Sequence, residues 1–117
     1  MTDDLSEAVI GAAIEVHRHL GPGLLESVYE DALCYELELR KIPHVRQASV
    51  AVRYKGKELS GQRVDILVDG QLILELKSVA KLPEVAIAQV LSYLKGTNLR
   101  RALLLNFGDK TMIRGIK

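Results

Sequence analysis

The hydrophobic residues of this chain change their spacing near residue 44, and this change restricts the fold more than any other feature. Upstream, apolar residues recur every three or four positions, which predicts helices over residues 3–20 and 24–40. Gly21-Pro22-Gly23 separates the two helices, because glycine and proline interrupt helical structure. One side of the second helix is apolar and carries Leu25, Val28, Ala32, Tyr35 and Leu39. Downstream of residue 44 the apolar residues alternate, which predicts strands and therefore a mixed α/β (α+β) fold.

The alternating part of the sequence predicts short strands around one further helix. Pro83 opens that helix, which runs to about Lys95, since proline suits the first helical turn. Strand segments are predicted over residues 44–54, 62–68, 72–78, 101–107 and 111–116, with turns at 55–57 and 69–70. In the second of these strands, one face is expected to hold Val64, Ile66 and Val68. The predicted order is α-α-β-β-β-β-α-β-β, a mixed central sheet flanked by helices, in which one of the four strands before the third helix is given no bounds.

Length and composition favour a single domain over residues 1–117. A chain of 117 residues with 48% hydrophobic residues can bury a core of its own. No apolar run reaches the roughly 18–20 residues of a membrane span, and the acidic start Met1-Thr2-Asp3-Asp4 argues against a signal peptide. The single cysteine, Cys34, excludes an internal disulfide and is expected to be a small buried hydrophobic residue. We therefore expect a cytoplasmic protein.

The net charge of +1 conceals an uneven distribution along the chain. Residues 1–40 carry two Lys/Arg against nine Asp/Glu, and residues 64–94 carry two against four, so both segments are acidic. Residues 41–63 and 95–117 each carry six Lys/Arg against one Asp/Glu, so both are basic. A basic surface beside a small acidic cluster suits a polyanion held against metal ions. An ordinary mixed surface would give the same pattern, so charge alone leaves both interpretations open.

Charged residues interrupt two apolar strands in the middle of the chain. Glu75 and Lys77 are two residues apart on one strand and therefore project from the same face, while Asp65 lies on the preceding strand. Two carboxylates can hold a hard cation such as Mg²⁺ or Mn²⁺. A lysine beside them can stabilise an attacking hydroxide or the charge that develops on a phosphate. The alternative is a surface ion pair between Lys77 and one of the carboxylates.

The register of the hairpin decides whether the two carboxylates meet. A two-residue turn at Asp69-Gly70 would pair Asp65 with Leu74 and direct its side chain away from Glu75. A three-residue connection or a bulge would bring both carboxylates onto one face. The hypothesis of a metal site therefore predicts such an irregularity between Asp65 and Glu75.

The same residues resemble a known family. Asp65 followed by Glu75-Leu76-Lys77 is similar to the pattern of the PD-(D/E)XK nuclease superfamily, and residues 89–93 resemble the Q-x-x-x-Y motif of its RecB-type exonuclease branch. Residues 23–29, Gly-Leu-Leu-Glu-Ser-Val-Tyr, resemble the signature of the small bacterial GxxExxY proteins, which are grouped in that superfamily. The resemblance extends from about Leu5 to Ile116. It implies a restriction-endonuclease-like core of the order α-β-β-β-α-β.

The resemblance also implies a divalent-metal-dependent nuclease, with DNA favoured over RNA as the expected substrate. It assigns roles to six side chains: metal ligands Glu26, Asp65 and Glu75, catalytic lysine Lys77, and the pair Gln89 and Tyr93. That pair lies one helical turn apart and would orient the site or contact the nucleic-acid backbone. Glu26 also lies in the first turn of its helix, where the helix dipole favours an acid, so a structural role for it stays open.

The basic segments would supply contacts to the phosphate backbone, which give affinity without sequence specificity. Candidate residues for these contacts are Arg53, Lys55, Lys57, Arg63, Arg100, Arg101 and Arg114. Two alternatives use the same fold: a catalytically silent module that binds nucleic acid or protein, and a nuclease subunit that needs a partner or forms a homodimer. No membrane partner is expected.

Overall fold

The computed structural model describes residues 4–97, 99 and 101–112. Its elements, in chain order, are α1 (Asp4–Leu20), α2 (Glu26–Leu39), β1 (His44–Tyr54), β2 (Lys57–Val68), β3 (Leu72–Lys77), α3 (Glu84–Gly96) and β4 (Arg101–Asn106). The prediction of four strands before the third helix is wrong, because three strands, β1, β2 and β3, precede α3 among the described residues. The predicted strand over residues 111–116 lies largely outside the described residues, and the two that are described, Thr111 and Met112, are not in a strand.

The described strands form one mixed sheet in the order β1-β2-β3-β4. β1 and β2 are antiparallel, as are β2 and β3, whereas β3 and β4 are parallel. A parallel pair needs a crossover connection, which α3 supplies between β3 and β4. In the part of the chain that the structure describes, no helix is both long and apolar enough to cross a bilayer.

Helices pack on both faces of the sheet and divide the core into two clusters. Alternate residues of β3 face opposite sides: Leu72, Leu74 and Leu76 pack in the cluster that α1 and α2 cover, whereas Ile73 packs in the cluster that α3 covers. This alternation in β3 matches the period of two in the sequence. Val64, Ile66 and Val68 were expected to share one face of β2, and this expectation is wrong for Val64. Val64 packs in the cluster that α3 covers, whereas Ile66 and Val68 pack in the cluster that α1 and α2 cover. The alternation is therefore interrupted at Asp65.

The buried side of α2 differs from the apolar side identified in the sequence. Leu25, at the N-cap, is 74% exposed, and Tyr35 is 61% exposed. The residues of α2 that are buried are Tyr29, Leu33, Cys34 and Leu37. Burial of Cys34 confirms the expectation for that residue.

Tyr29 fixes the turn between α1 and α2. Its ring stacks on Phe107 with 4.5 Å between the centroids, and its hydroxyl donates a hydrogen bond to the carbonyl of Gly21. The same hydroxyl accepts a hydrogen bond from the amide of Leu24 at 3.2 Å. Gly21 has φ of +68°, a conformation that glycine adopts without steric cost. The turn that the sequence predicts at residues 21–23 is thus anchored to the end of β4.

Candidate metal and catalytic site

The connection between β2 and β3 has three residues. Val68 pairs with Leu72, so residues 69–71 lie outside the ladder. Continuing this register places Asp65 opposite Glu75, with both side chains on the face that α3 covers. The irregularity expected between these two residues is therefore confirmed in its first form, a three-residue connection.

Where the regular ladder between β2 and β3 stops, the two carboxylates take the place of backbone carbonyls as hydrogen-bond acceptors. The last paired residues are Ile66 and Leu74. Beyond them, the amide of Asp65 donates to Oε1 of Glu75 at 3.1 Å, and the amide of Leu76 donates to Oδ2 of Asp65 at 2.8 Å. Each carboxylate is therefore held by the backbone of the opposite strand, which orients both acids at the splayed end of the strands.

Burial and mutual repulsion make this pair electrostatically unfavourable on its own. Glu75 is only 6% exposed, and burial, followed by the nearby Asp65 charge, raises its pKa to about 7. Burial also raises the pKa of Asp65, while its hydrogen bond from the Leu76 amide acts in the opposite direction. Two facing carboxyl groups of this kind hold a proton near neutral pH unless a cation neutralises them.

The chemistry of this pair fits a divalent ion. Mg²⁺ is commonly bound by one or two carboxylates, with water and substrate phosphate completing its coordination. Within residues 4–97, 99 and 101–112, no group of three or more His, Cys, Asp or Glu side chains is placed to hold a metal ion. The described part of the chain thus offers Asp65 and Glu75 as a two-carboxylate site.

Lys77 supplies positive charge on the same side of the sheet. It is half-buried at the end of β3, opposite Asn106 of β4. Its charge lowers the pKa of both Asp65 and Glu75, against the larger effect of burial. The carboxylates and the ammonium group therefore interact in one small region, as the sequence pattern predicts.

Asn106 holds the chain just after Lys77, and the motif analysis of the charged residues did not identify this role. Asn106 is fully buried. Its Oδ1 accepts the amide of Val79 at 3.1 Å, and its Nδ2 donates to the Val79 carbonyl at 2.9 Å. A Cβ on Gly108 would lie 2.2 Å from the Val79 carbonyl oxygen, so only glycine allows this close approach. Asn106 and Gly108 therefore hold the backbone at Val79, two residues after the end of β3.

Helix α3 brings Tyr93 to the carboxylates but leaves Gln89 at the surface. Tyr93 is 8% exposed, and its pKa is raised first by burial and then by the charges of Glu75 and Asp65. Gln89 lies one turn earlier on α3 and is exposed. Of the predicted pair, the tyrosine therefore lies within electrostatic reach of the acidic site.

Helix α2 places a different acid near Asp65 from the one assigned by the resemblance. Glu26 lies exposed in the first turn of α2. Glu30, one turn later, raises the pKa of Asp65 through its charge, and its side chain is only 13% exposed. Gln47 of β1 donates from Nε2 to Oε1 of Glu30 at 2.9 Å. Neither Glu30 nor Gln47 is among the residues that the sequence motifs assign to the site, and no local signal in the sequence distinguishes them.

The predicted phosphate-contacting residues are spread along the sheet. Arg53, Lys55 and Lys57 lie at the far end of the β1–β2 hairpin, and Asp65 lies eight positions after Lys57 on β2, about 26 Å away at about 3.3 Å per residue. Arg63 is exposed on β2, and Arg101 begins β4, where its Nη2 donates to Oε1 of Gln71 at 3.3 Å. Two further candidates, Arg100 and Arg114, lie outside the described residues.

Comparison with known protein families gives a match over nearly the whole chain. The model of the PD-(D/E)XK nuclease superfamily matches residues 3–117. Searches of the curated proteins and of the solved structures gave no match. The matched segment includes Asp65, Glu75 and Lys77, the residues that the fold brings together.

Proposed function

The chain belongs to the PD-(D/E)XK nuclease superfamily, and on this premise we propose that it is a divalent-metal-dependent nuclease that hydrolyses phosphodiester bonds in DNA. The observation that carries the proposal is the facing pair of Asp65 and Glu75. Each is held by a backbone amide of the opposite strand, and Lys77 contributes its charge to both. A pair that is unfavourable without a cation supports a site that binds one.

Asp65 and Glu75 would hold the ion, either Mg²⁺ or Mn²⁺. When bound, the ion supplies positive charge that activates a water molecule and neutralises the phosphate. Glu26 is proposed as a third ligand only because it matches the family motif. The exposed position of Glu26 at the start of α2 leaves its carboxylate accessible.

Three other side chains would act on the substrate. Lys77 carries a fixed positive charge beside the carboxylates and would stabilise the negative charge that develops on the phosphate. Tyr93, buried against the same pair, would orient the site through its hydroxyl. Gln89, exposed one turn earlier, would contact the nucleic-acid backbone.

The basic residues of the β1–β2 hairpin support a nucleic acid as substrate. The distance of about 26 Å along β2 between Lys57 and Asp65 corresponds to about eight nucleotide steps at about 3.4 Å per step. Arg63 lies between these two positions on β2 and is exposed. A nucleic-acid strand along β2 would therefore meet basic side chains before it reaches the carboxylates.

Cleavage of labelled single-stranded DNA, double-stranded DNA and RNA, with Mg²⁺ and then Mn²⁺, tests this proposal. The site variants are Glu75→Gln and Lys77→Met, and the matched controls are the exposed residues Glu58→Gln and Lys81→Met. We expect metal-dependent DNA cleavage that both site variants lose and both controls keep.

Three other results would change the conclusion. Cleavage that survives in Glu75→Gln would contradict the proposed site. If RNA is cleaved faster than DNA, then RNA is the substrate and the proposal of DNA is wrong. Metal binding without cleavage would favour a subunit that needs a partner, and neither binding nor cleavage would favour a silent binding module.

A further inference from the structure

Gln47 lies in a gap between β1 and β2, directly opposite Asp65. Arg46 pairs with Ile66 and Ala48 pairs with Val64, so the register sets Gln47 against Asp65, yet this pair is missing from the ladder. Gln47 also has φ of +47°, in the left-handed region that residues with a Cβ rarely adopt. Such strain persists only where the surrounding structure enforces it, and it often marks a functional position.

The strained backbone places the Gln47 amide between two acids. Its Nε2 donates to Oε1 of Glu30 at 2.9 Å, and the register sets Gln47 opposite Asp65, whose pKa the Gln47 amide acts to lower. Glu30 is in turn held by Arg46, whose Nη2 and Nε donate to Oε2 at 2.9 and 3.2 Å. An ion pair between Arg46 of β1 and Glu30 of α2 therefore anchors the Gln47 amide next to the site.

We propose that Gln47 is a positioning residue that orients the Asp65 carboxylate of the proposed nuclease site. Asp65 is then held from both neighbouring strands, by the Leu76 amide of β3 and by the Gln47 side chain of β1. The arrangement resembles the outer ring of hydrogen bonds that orients metal ligands in other proteins, where loss of one partner costs about 10–100-fold in affinity or activity. This inference rests on the proposed function, because it assigns Gln47 to the same site.

Substitution of Gln47 by glycine separates the role of the Gln47 side chain from that of its backbone conformation. Gln47→Gly removes the amide and also relieves the unfavourable φ. Lys41→Gly is the matched control, because Lys41 has φ of +59° at the end of α2 and takes no part in the site. Gln47→Asn is a second variant: asparagine tolerates the left-handed region, but its side chain is one methylene too short to reach both Glu30 and Asp65.

Hydrogen exchange gives a readout that needs no metal. Leu76 lies on β3, two strands from Gln47, and the Asp65 carboxylate links them. We expect faster exchange at the Leu76 amide in both Gln47 variants and unchanged exchange there in Lys41→Gly, while the urea midpoint of Gln47→Gly stays equal or rises. Unchanged exchange at Leu76 in the Gln47 variants would overturn the inference.

Binding of Mn²⁺ and steady-state cleavage give the functional readouts. We expect Mn²⁺ affinity and kcat to fall about 10-fold or more in Gln47→Gly, with KM for DNA unchanged and with Lys41→Gly equal to wild type. Wild-type affinity and kcat in Gln47→Gly would contradict the positioning role. If wild type itself binds no Mn²⁺, the proposed function fails, and hydrogen exchange at Leu76 alone decides whether Gln47 holds Asp65.

Discussion

Glu75 makes the stability of the metal-free protein depend on pH in a defined direction. Its pKa of about 7 in the folded state is above its ordinary value of 4.5, because the group is buried next to Asp65. The folded state therefore holds this proton more tightly than the unfolded state does. The stabilisation is fully present below about pH 4.5 and is lost as the pH rises through about 7.

The size of the effect follows from the shift in pKa. Each pKa unit corresponds to about 1.4 kcal/mol, so the rise from 4.5 to about 7 limits the loss to about 3 kcal/mol. For a domain of this length, that loss corresponds to a decrease in Tm of roughly 10 °C. Glu75→Gln removes the titration while keeping a side-chain oxygen that can accept the Asp65 amide.

Urea unfolding at pH 5, 6, 7 and 8 in EDTA measures this difference. We expect the free energy of unfolding of wild type to fall by up to about 3 kcal/mol relative to Glu75→Gln between pH 5 and pH 8. Glu58→Gln is the control, because its side chain is 63% exposed and its removal should leave the pH dependence of wild type unchanged. Adding Mn²⁺ at pH 8 should stabilise wild type but not Glu75→Gln.

Parallel pH profiles for wild type and Glu75→Gln would refute the reasoning. They would mean that the Glu75 carboxyl group is solvated in the folded protein. The pair would then carry no electrostatic penalty for a cation to relieve. A larger pH dependence in Glu58→Gln than in wild type would instead show that surface charge dominates the profile.

Three further substitutions or reactions test the packing that supports the site. Gly108→Ala should cost about 1–3 kcal/mol in urea unfolding, because its Cβ would collide with the Val79 backbone; an unchanged midpoint would contradict this contact. Burial raises the pKa of the Cys34 thiol to about 11, so its alkylation by iodoacetamide at pH 8 should be much slower than that of a free thiol. Tyr29→Phe should lower the free energy of unfolding by about 1–2 kcal/mol by removing the hydroxyl that bonds Gly21, with retained stability as the contrary result.

Local sequence patterns account well for the helices and for β3. The helical period, with the break at Gly21-Pro22-Gly23, placed α1 and α2 within two residues of their bounds, and Pro83 is the N-cap of α3 as its chemistry suggests. The length of β2 could not be predicted, because alternation cannot be followed through Gly61. In the structure a Cβ at Gly61 would lie 2.1 Å from the Ser49 hydroxyl, so the glycine marks a close approach of two strands and not the end of one.

The central residues of the site were also predictable, because charge stands out on an apolar strand. Glu75 and Lys77 interrupt β3, and the metal hypothesis required a three-residue connection or a bulge, of which the structure shows the first. The roles of Glu30 and Gln47 were not predictable, since they depend on a gap in the β1–β2 ladder and on one unusual φ value. Glu26 and Glu30 lie four residues apart and so share one side of α2. A sequence motif cannot tell which of the two acids faces the site.

The proposed site would couple protons, a cation and phosphate through a single pair of carboxylates. Near neutral pH the metal-free pair holds a proton, so a divalent ion must displace that proton to bind. Metal affinity should therefore increase as the pH rises to about 7 and change little above it. Without the ion, the deprotonated pair would repel a phosphate, and the single positive charge of Lys77 cannot offset the repulsion from two carboxylates. An affinity for DNA that rises when metal is added would follow from the same balance of charges, and the basic residues of the β1–β2 hairpin would supply the part of the affinity that needs no metal.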